Sequence, residues 1–171
     1  MKTLRKLEIF VLLAIGFPAL SQNCNLPDVA VYTLEGSSVS AQDLTRDDQA
    51  LVFVFWESDD TESLDQIRQI NEEYGDLKGK NVRVVGLCAD CSGNMARIRP
   101  LIYGMGIDFE MYIDRNCDLK RAMNVTDFPT TFLIDQNKHV YSQCLGYRGN
   151  LDELVSEMIT NYLAVNTDCK K

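Results

Sequence analysis

The segment CADC, residues 88–91, carries the cysteine spacing that most directly suggests chemistry. A Cys-x-x-Cys pair can close a small-ring disulfide, and it exchanges electrons when one sulfur is held as a thiolate. The local sequence works against that here. Asp90 lies between Cys88 and Cys91, where a negative charge raises a thiol pKa, and no Lys, Arg or His lies within the motif, Arg97 being the first base after it. The residues favour a structural disulfide or two partly buried thiols over an exchange pair. The other cysteines stand at 24, 117, 144 and 169. Six cysteines allow fifteen complete pairings, and spacing does not choose among them. Cys24 and Cys169, in opposite terminal segments, could staple the tails or bridge two chains. Cys117 and Cys144 read as buried, inert thiols.

Metal ligation has less support. One Cys-x-x-Cys supplies two zinc ligands, and the remaining two would have to come from Cys117, Cys144 or His139, at spacings that fit no compact zinc pattern. The acids Glu57, Asp59, Asp60 and Glu62 lack the regular oxygen spacing and the glycine of a calcium loop. No metal and no cofactor is expected. His139, the sole histidine, falls at a hairpin and is expected on the surface, with no claim to be a catalytic base.

The acids suit another task. In LVFVFWESDDTESL, residues 51–64, an apolar run ends at Trp56 and passes directly into a polar helix start. Asp59, with Glu62 three residues later, makes a capping-box pattern. Leu64, Ile67, Ile70 and Tyr74 recur at near-helical spacing, and Gly75 is a plausible stop.

Around this junction the chain alternates strand and helix. Val29 to Leu34 reads as an edge strand followed by a turn at Glu35-Gly36-Ser37-Ser38. Ala50 to Trp56 and Asn81 to Leu87 read as strands buried on both faces of a parallel sheet. A helix over Asn94 to Tyr103 contains Pro100, an awkward residue in a helix interior. Phe109 to Ile113 is extended, and Leu119 to Met123 forms a short helix. Thr130 to Asp135 and His139 to Leu145 make a hairpin. Asn150 with Glu153 opens a final amphipathic helix through Leu151, Leu154, Met158 and Tyr162. This order describes an α/β sandwich with a mixed central sheet flanked by helices.

Composition bounds the rest. The 171 residues, 46% of them hydrophobic, suit one globular domain. Residues 1–21 read as a signal peptide, with Lys2, Arg5 and Lys6 before a short apolar core and Ala19-Leu20-Ser21 before the cut. Residues 22–28 form a loose lead-in, 29–164 the domain and 165–171 a tail. The product is expected to be exported, periplasmic or extracellular, without a membrane anchor after cleavage. Losing Lys2, Arg5, Lys6 and Glu8 brings the net charge from −8 to near −10, which argues against nucleic acid or an anionic membrane as partner. Oligomeric state is open.

The chain resembles thioredoxin-fold proteins of the TlpA/ResA type, within the thioredoxin and AhpC/TSA superfamily. The likeness covers roughly residues 26–164. Its most specific piece is FPTTFLID, residues 128–135, similar to the family's cis-proline loop and following strand; LPDVAVYTLEG, FVFW, VVGLCAD and YIDRNCDLKRAMNV add to it. The resemblance implies a cis Pro129 and a protein or peptide partner at a groove formed by Trp56, Phe128, Pro129 and Thr130. It also implies Cys-x-x-Cys immediately after the tryptophan, where this chain has Glu57 and Asp60. A peroxiredoxin register would place the reactive cysteine at Leu64. A carboxylate can occupy the positive end of a helix but cannot undergo thiol–disulfide exchange. The expected activity is therefore partner binding by a pseudoenzyme, or, alternatively, thiol–disulfide exchange relocated to Cys88 and Cys91.

Overall fold

The computed structural model of the chain describes residues 24–46, 49–79, 82–91, 95–150, 153, 155, 156 and 160. The expected signal peptide, Cys169 and most of the last expected helix lie outside these residues. The elements in chain order are β1 (Cys24–Asn25), β2 (Ala30–Thr33), β3 (Ser38–Ser40), a 3-10 turn at Ala41–Leu44 and β4 (Ala50–Trp56). They continue as α1 (Thr61–Gly79), β5 (Val82–Cys88), α2 (Met95–Met105), β6 (Glu110–Ile113), α3 (Asp118–Ala122), β7 (Thr130–Ile134) and β8 (His139–Leu145). One sheet holds all eight strands in the order β1-β8-β7-β4-β5-β6-β2-β3. β4 pairs parallel with β5, and β5 with β6, while the remaining pairs are antiparallel. This is a thioredoxin-like fold with a mixed sheet.

The continuous apolar run of β4 is explained by its central place. Val52, Val54 and Trp56 point to one face, packed with Ile67, Ile70 and Leu77 of α1 and Ile98 and Ile102 of α2. Leu51, Phe53 and Phe55 point to the other, with Leu119 of α3, Phe132 and Ile134. Alternate side chains of a strand face opposite ways, so a sheet covered on both sides needs apolar residues at every position. Gly86 marks a close approach: a Cβ there would stand 2.5 Å from the Met111 sulfur on neighbouring β6.

Several local expectations change. The lead-in contributes β1, which pairs Cys24 with Val140 and Asn25 with His139 on β8. β2 is not an edge strand, because Gly36, at φ 97°, turns the chain back so that β3 lies outside it. Gly75 does not end α1, which continues to Gly79; the cost of one exposed interior glycine, about 1 kcal/mol, is outweighed by the buried face of the helix. Pro100 lies inside α2 and removes the hydrogen bond its N–H would give to the Ala96 carbonyl. The final helix opens as its capping pattern suggested: the Glu153 N–H donates to Asn150 Oδ1 at 3.0 Å.

Candidate functional site

β4 and β5 stay in register to their last residues, with Trp56 opposite Cys88. The pairing extends one residue further, since the Ala89 N–H donates to the Trp56 carbonyl at 2.9 Å. β7 runs antiparallel on the other side of β4, with Thr130 opposite Phe55, which brings the 128–129 loop to the same edge. From beyond β5, the Asp114 N–H donates to the Cys88 carbonyl at 2.9 Å. Four connecting segments therefore meet at the carboxyl edge of the parallel strands, where open α/β sheets bind ligands.

The segment after β4 is organised by oxygen. Asp60, not Asp59, caps α1: its Oδ2 accepts the Ser63 N–H at 2.8 Å, and the Ser63 hydroxyl accepts the Glu57 N–H at 3.3 Å. Asp59 is one residue too early to reach the helix N–H groups and pairs instead with Arg97 of α2. Ser58 donates both its N–H, at 2.9 Å, and its hydroxyl to the Asp90 carboxylate. Glu57 Oε1 lies 3.0 Å from Lys120 Nζ, and the same ammonium stands 4.4 Å from the centre of the Phe128 ring. Positions 57 and 60, where the resemblance expects sulfur, are thus committed to an ion pair and a helix cap.

The segment after β5 is organised by sulfur, though differently from the Cys88–Cys91 pair read in the sequence. Cys91 is bonded to Cys117, with S–S 2.09 Å and Cα atoms 5.2 Å apart. Cys88 is still part of β5, and its free thiol is buried in the α1-side core. Burial pushes that thiol far above its ordinary pKa, and the Asp90 charge adds to the effect. Cys117, expected as an inert thiol, sits at φ 55° directly before α3 and gives no side-chain cap. Capping falls to Asp114, whose carboxylate accepts the Asp118 N–H at 3.0 Å and the Lys120 N–H at 2.8 Å. Burial raises the Asp114 carboxyl above its ordinary value despite those donors. Cys144 is a buried free thiol, as expected, and receives the Arg148 Nε–H at 3.1 Å. His139 lies 3.2 Å from Asp135, away from this edge.

The third part is the loop before β7. The Phe128–Pro129 bond is cis. Pro129 and Thr130 are buried and Phe128 is half-buried. The Gly146 N–H donates to the Pro129 carbonyl at 2.8 Å, and Thr130 Oγ1 donates to the Asp127 carbonyl at 2.6 Å. Leu145 and Tyr147, just beyond, are 51% and 40% exposed. Trp56, expected on the groove surface, is wholly buried because the last side chain of β4 points under α1. Its Nε1–H has no partner among the described residues.

The sequence reading did not find Lys120, Asp114 or the role of Cys117. Their only trace was the stretch YIDRNCDLKRAMNV, in which a lysine follows a cysteine by three residues. Spacing of that kind gives no indication of reach toward Glu57 and Phe128, more than sixty and eight positions away.

Comparison with known proteins agrees with this architecture. Thiol-disulfide oxidoreductases ResA of Bacillus thuringiensis (strain Al Hakam) and Bacillus anthracis are each 26% identical over 137 residues, covering 80% of this chain and 73% of theirs. An uncharacterized thioredoxin-like protein from Porphyromonas gingivalis superimposes with TM-score 0.68 at 29% identity, covering 79% and 90% of the two chains. StoA from Bacillus subtilis shares the fold with TM-score 0.64 at 20% identity, covering 78% and 99%. Residues 23–143 match the model of the AhpC/TSA family, and the chain belongs to that family of thioredoxin-like, thiol–disulfide redox proteins.

Proposed function

We propose that this is an exported member of the family whose usual exchange position has become a sulfur-free contact surface, and that it binds an extended peptide or protein segment at the loop before β7. The observation that carries the reading is Phe128. Its ring is half-buried beneath the Lys120 ammonium, and its main-chain N–H and C=O make no hydrogen bond to another described residue. An extended segment can satisfy such groups as an added strand does, while apolar side chains supply the contact area. Leu145 and Tyr147 extend the apolar surface beside it. Trp56 takes no part in this surface, since its ring lies in the core on the α1 side of the sheet. Export is supported by the amino-terminal sequence pattern and by a disulfide, which persists in oxidising compartments; among the described residues no helix is long and apolar enough to cross a membrane.

The test is selection of extended peptides against the immobilised protein, followed by affinity measurement. Phe128→Ala is expected to weaken the selected peptides by at least about ten-fold, or ~1.4 kcal/mol. Unchanged affinity in that variant would remove the reading. The alternative, thiol–disulfide exchange after β5, is favoured by the family and by the presence of a disulfide there, but with another pair than Cys88 and Cys91: Cys91 is joined to Cys117, and Cys88 is a buried thiol whose pKa burial raises.

A further inference from the structure

Among the described residues, the Cys91–Cys117 disulfide is the group at the sheet edge whose chemistry peptide binding leaves unused. We propose that it is an exchangeable disulfide that passes its oxidising equivalent to a dithiol peptide or protein, with Cys91 the sulfur attacked and Cys117 the sulfur released. The inference stands apart from the peptide-binding reading, since it concerns a different pair of atoms.

Three observations support it. The first is access. Cys91 is exposed and Cys117 is 1% exposed, so an entering thiolate reaches one sulfur from solvent while the other faces inward. Exchange depends on which sulfur can be attacked as much as on the thiol attacking it. The second is a prepared acceptor. The Ala89 carbonyl oxygen lies 3.2 Å from Cys117 Sγ and 3.7 Å from Cys91 Sγ. A disulfide sulfur has no hydrogen to give, whereas both thiols of the reduced pair can donate to that oxygen. The carbonyl is held in place because the Ala89 N–H is bound to Trp56. The reduced state thereby gains hydrogen bonds that the oxidised state lacks, which makes the pair more oxidising.

The third is that the scaffold does not depend on the bond. Asp90, next to Cys91, is tied to Ser58, and the start of α3 is held by Asp114 through the Asp118 and Lys120 N–H groups. Opening the disulfide leaves both segments anchored, so the two thiols stay close enough to re-form it.

The step balances within the partners named. One thiolate of the partner attacks Cys91 Sγ, the Cys91–Cys117 bond breaks, and Cys117 leaves as a thiolate that takes a proton and donates it toward Ala89. The second partner thiol then attacks its own sulfur in the mixed disulfide and releases Cys91. Two electrons and two protons pass to the pair, and the partner leaves oxidised.

The experiment mixes the protein, oxidised, with an excess of a reduced two-cysteine peptide, quenches with acid, alkylates under denaturing conditions and maps the label by mass spectrometry against a sample without peptide. Cys91 and Cys117 should gain label together while Cys88 and Cys144, free in both samples, label equally in each, with one equivalent of peptide oxidised per pair reduced. In the reverse half-reaction with oxidised peptide, Cys117→Ser should trap a mixed disulfide on Cys91 at least ten-fold more than Cys91→Ser traps on Cys117. A wild-type disulfide that stays closed under excess dithiol, or equal trapping by the two variants, overturns the proposal. If the variants do not fold, the wild-type labelling pattern decides alone. Full transfer by Phe128→Ala with peptide affinity unchanged would remove the binding reading and keep this one.

Discussion

Two adjacent strands end at the same edge of the sheet and continue into opposite kinds of chemistry. After β4 the chain presents Glu57, Asp59 and Asp60, each tied to a nitrogen: the Lys120 ammonium, the Arg97 guanidinium and the Ser63 N–H. After β5 it presents Cys91, tied to sulfur. The first region holds oxygen ligands for nitrogen and no sulfur; the second holds a sulfur–sulfur bond. Strand register brings the two within hydrogen-bonding reach, through Ser58 and Asp90, without making them equivalent. A helix N-terminus stabilises negative charge of either element, but only a thiolate can form and break a bond to another sulfur.

The contrast can be broken most forcefully from below. Trp56→Ala removes a fully buried core side chain at the end of β4 and should cost about 3–5 kcal/mol, read from urea unfolding; a loss below about 1 kcal/mol would mean that the ring is not part of the core. Introducing sulfur comes next. Glu57→Cys combined with Asp60→Cys should raise insulin-reduction activity at least ten-fold over the parent chain, measured in the presence of a dithiol reductant. No gain would show that the difference between the regions is one of architecture and not of atom type.

Smaller effects sharpen the comparison. Asp60→Ala should destabilise by about 1 kcal/mol through loss of the cap, while Asp59→Ala, which breaks an exposed ion pair, should change stability by less than about 0.5 kcal/mol. Reversed magnitudes in paired unfolding experiments would reassign the cap. The last expected effect is a slope. The folded state raises the Asp114 carboxyl above its unfolded value, so in the interval between those values the native state binds the extra proton. Stability from this group is present below the unfolded value and is lost as pH rises through the folded one. Asp114→Asn should flatten that part of the stability profile, and an unchanged slope in the variant would exclude Asp114 as its source.

Much of the fold was legible because it rests on patterns that sequence carries directly. The seven-residue run of β4 announced a strand buried on both faces, and FPTTFLID announced the loop and strand that follow it. β1 and β3 leave no trace in the sequence, because two or three residues show no periodicity, and β2 reads as an edge because nothing local reveals that Gly36 returns the chain beside it. At the site, the difference between Asp59 and Asp60 as caps turns on a single residue of helix onset. That detail is settled by where β4 ends and α1 packs, and both acids are equally good cap residues by type.

What the sequence determined alone was elemental: no sulfur stands at 57 or 60, whatever the chain's conformation, because side-chain composition does not depend on folding. Only the tertiary structure decided that Cys91 joins Cys117 and leaves Cys88 buried. Disulfide partners are chosen by proximity in space, and residues 26 positions apart become neighbours only when β5, β6 and the turn before α3 have been assembled.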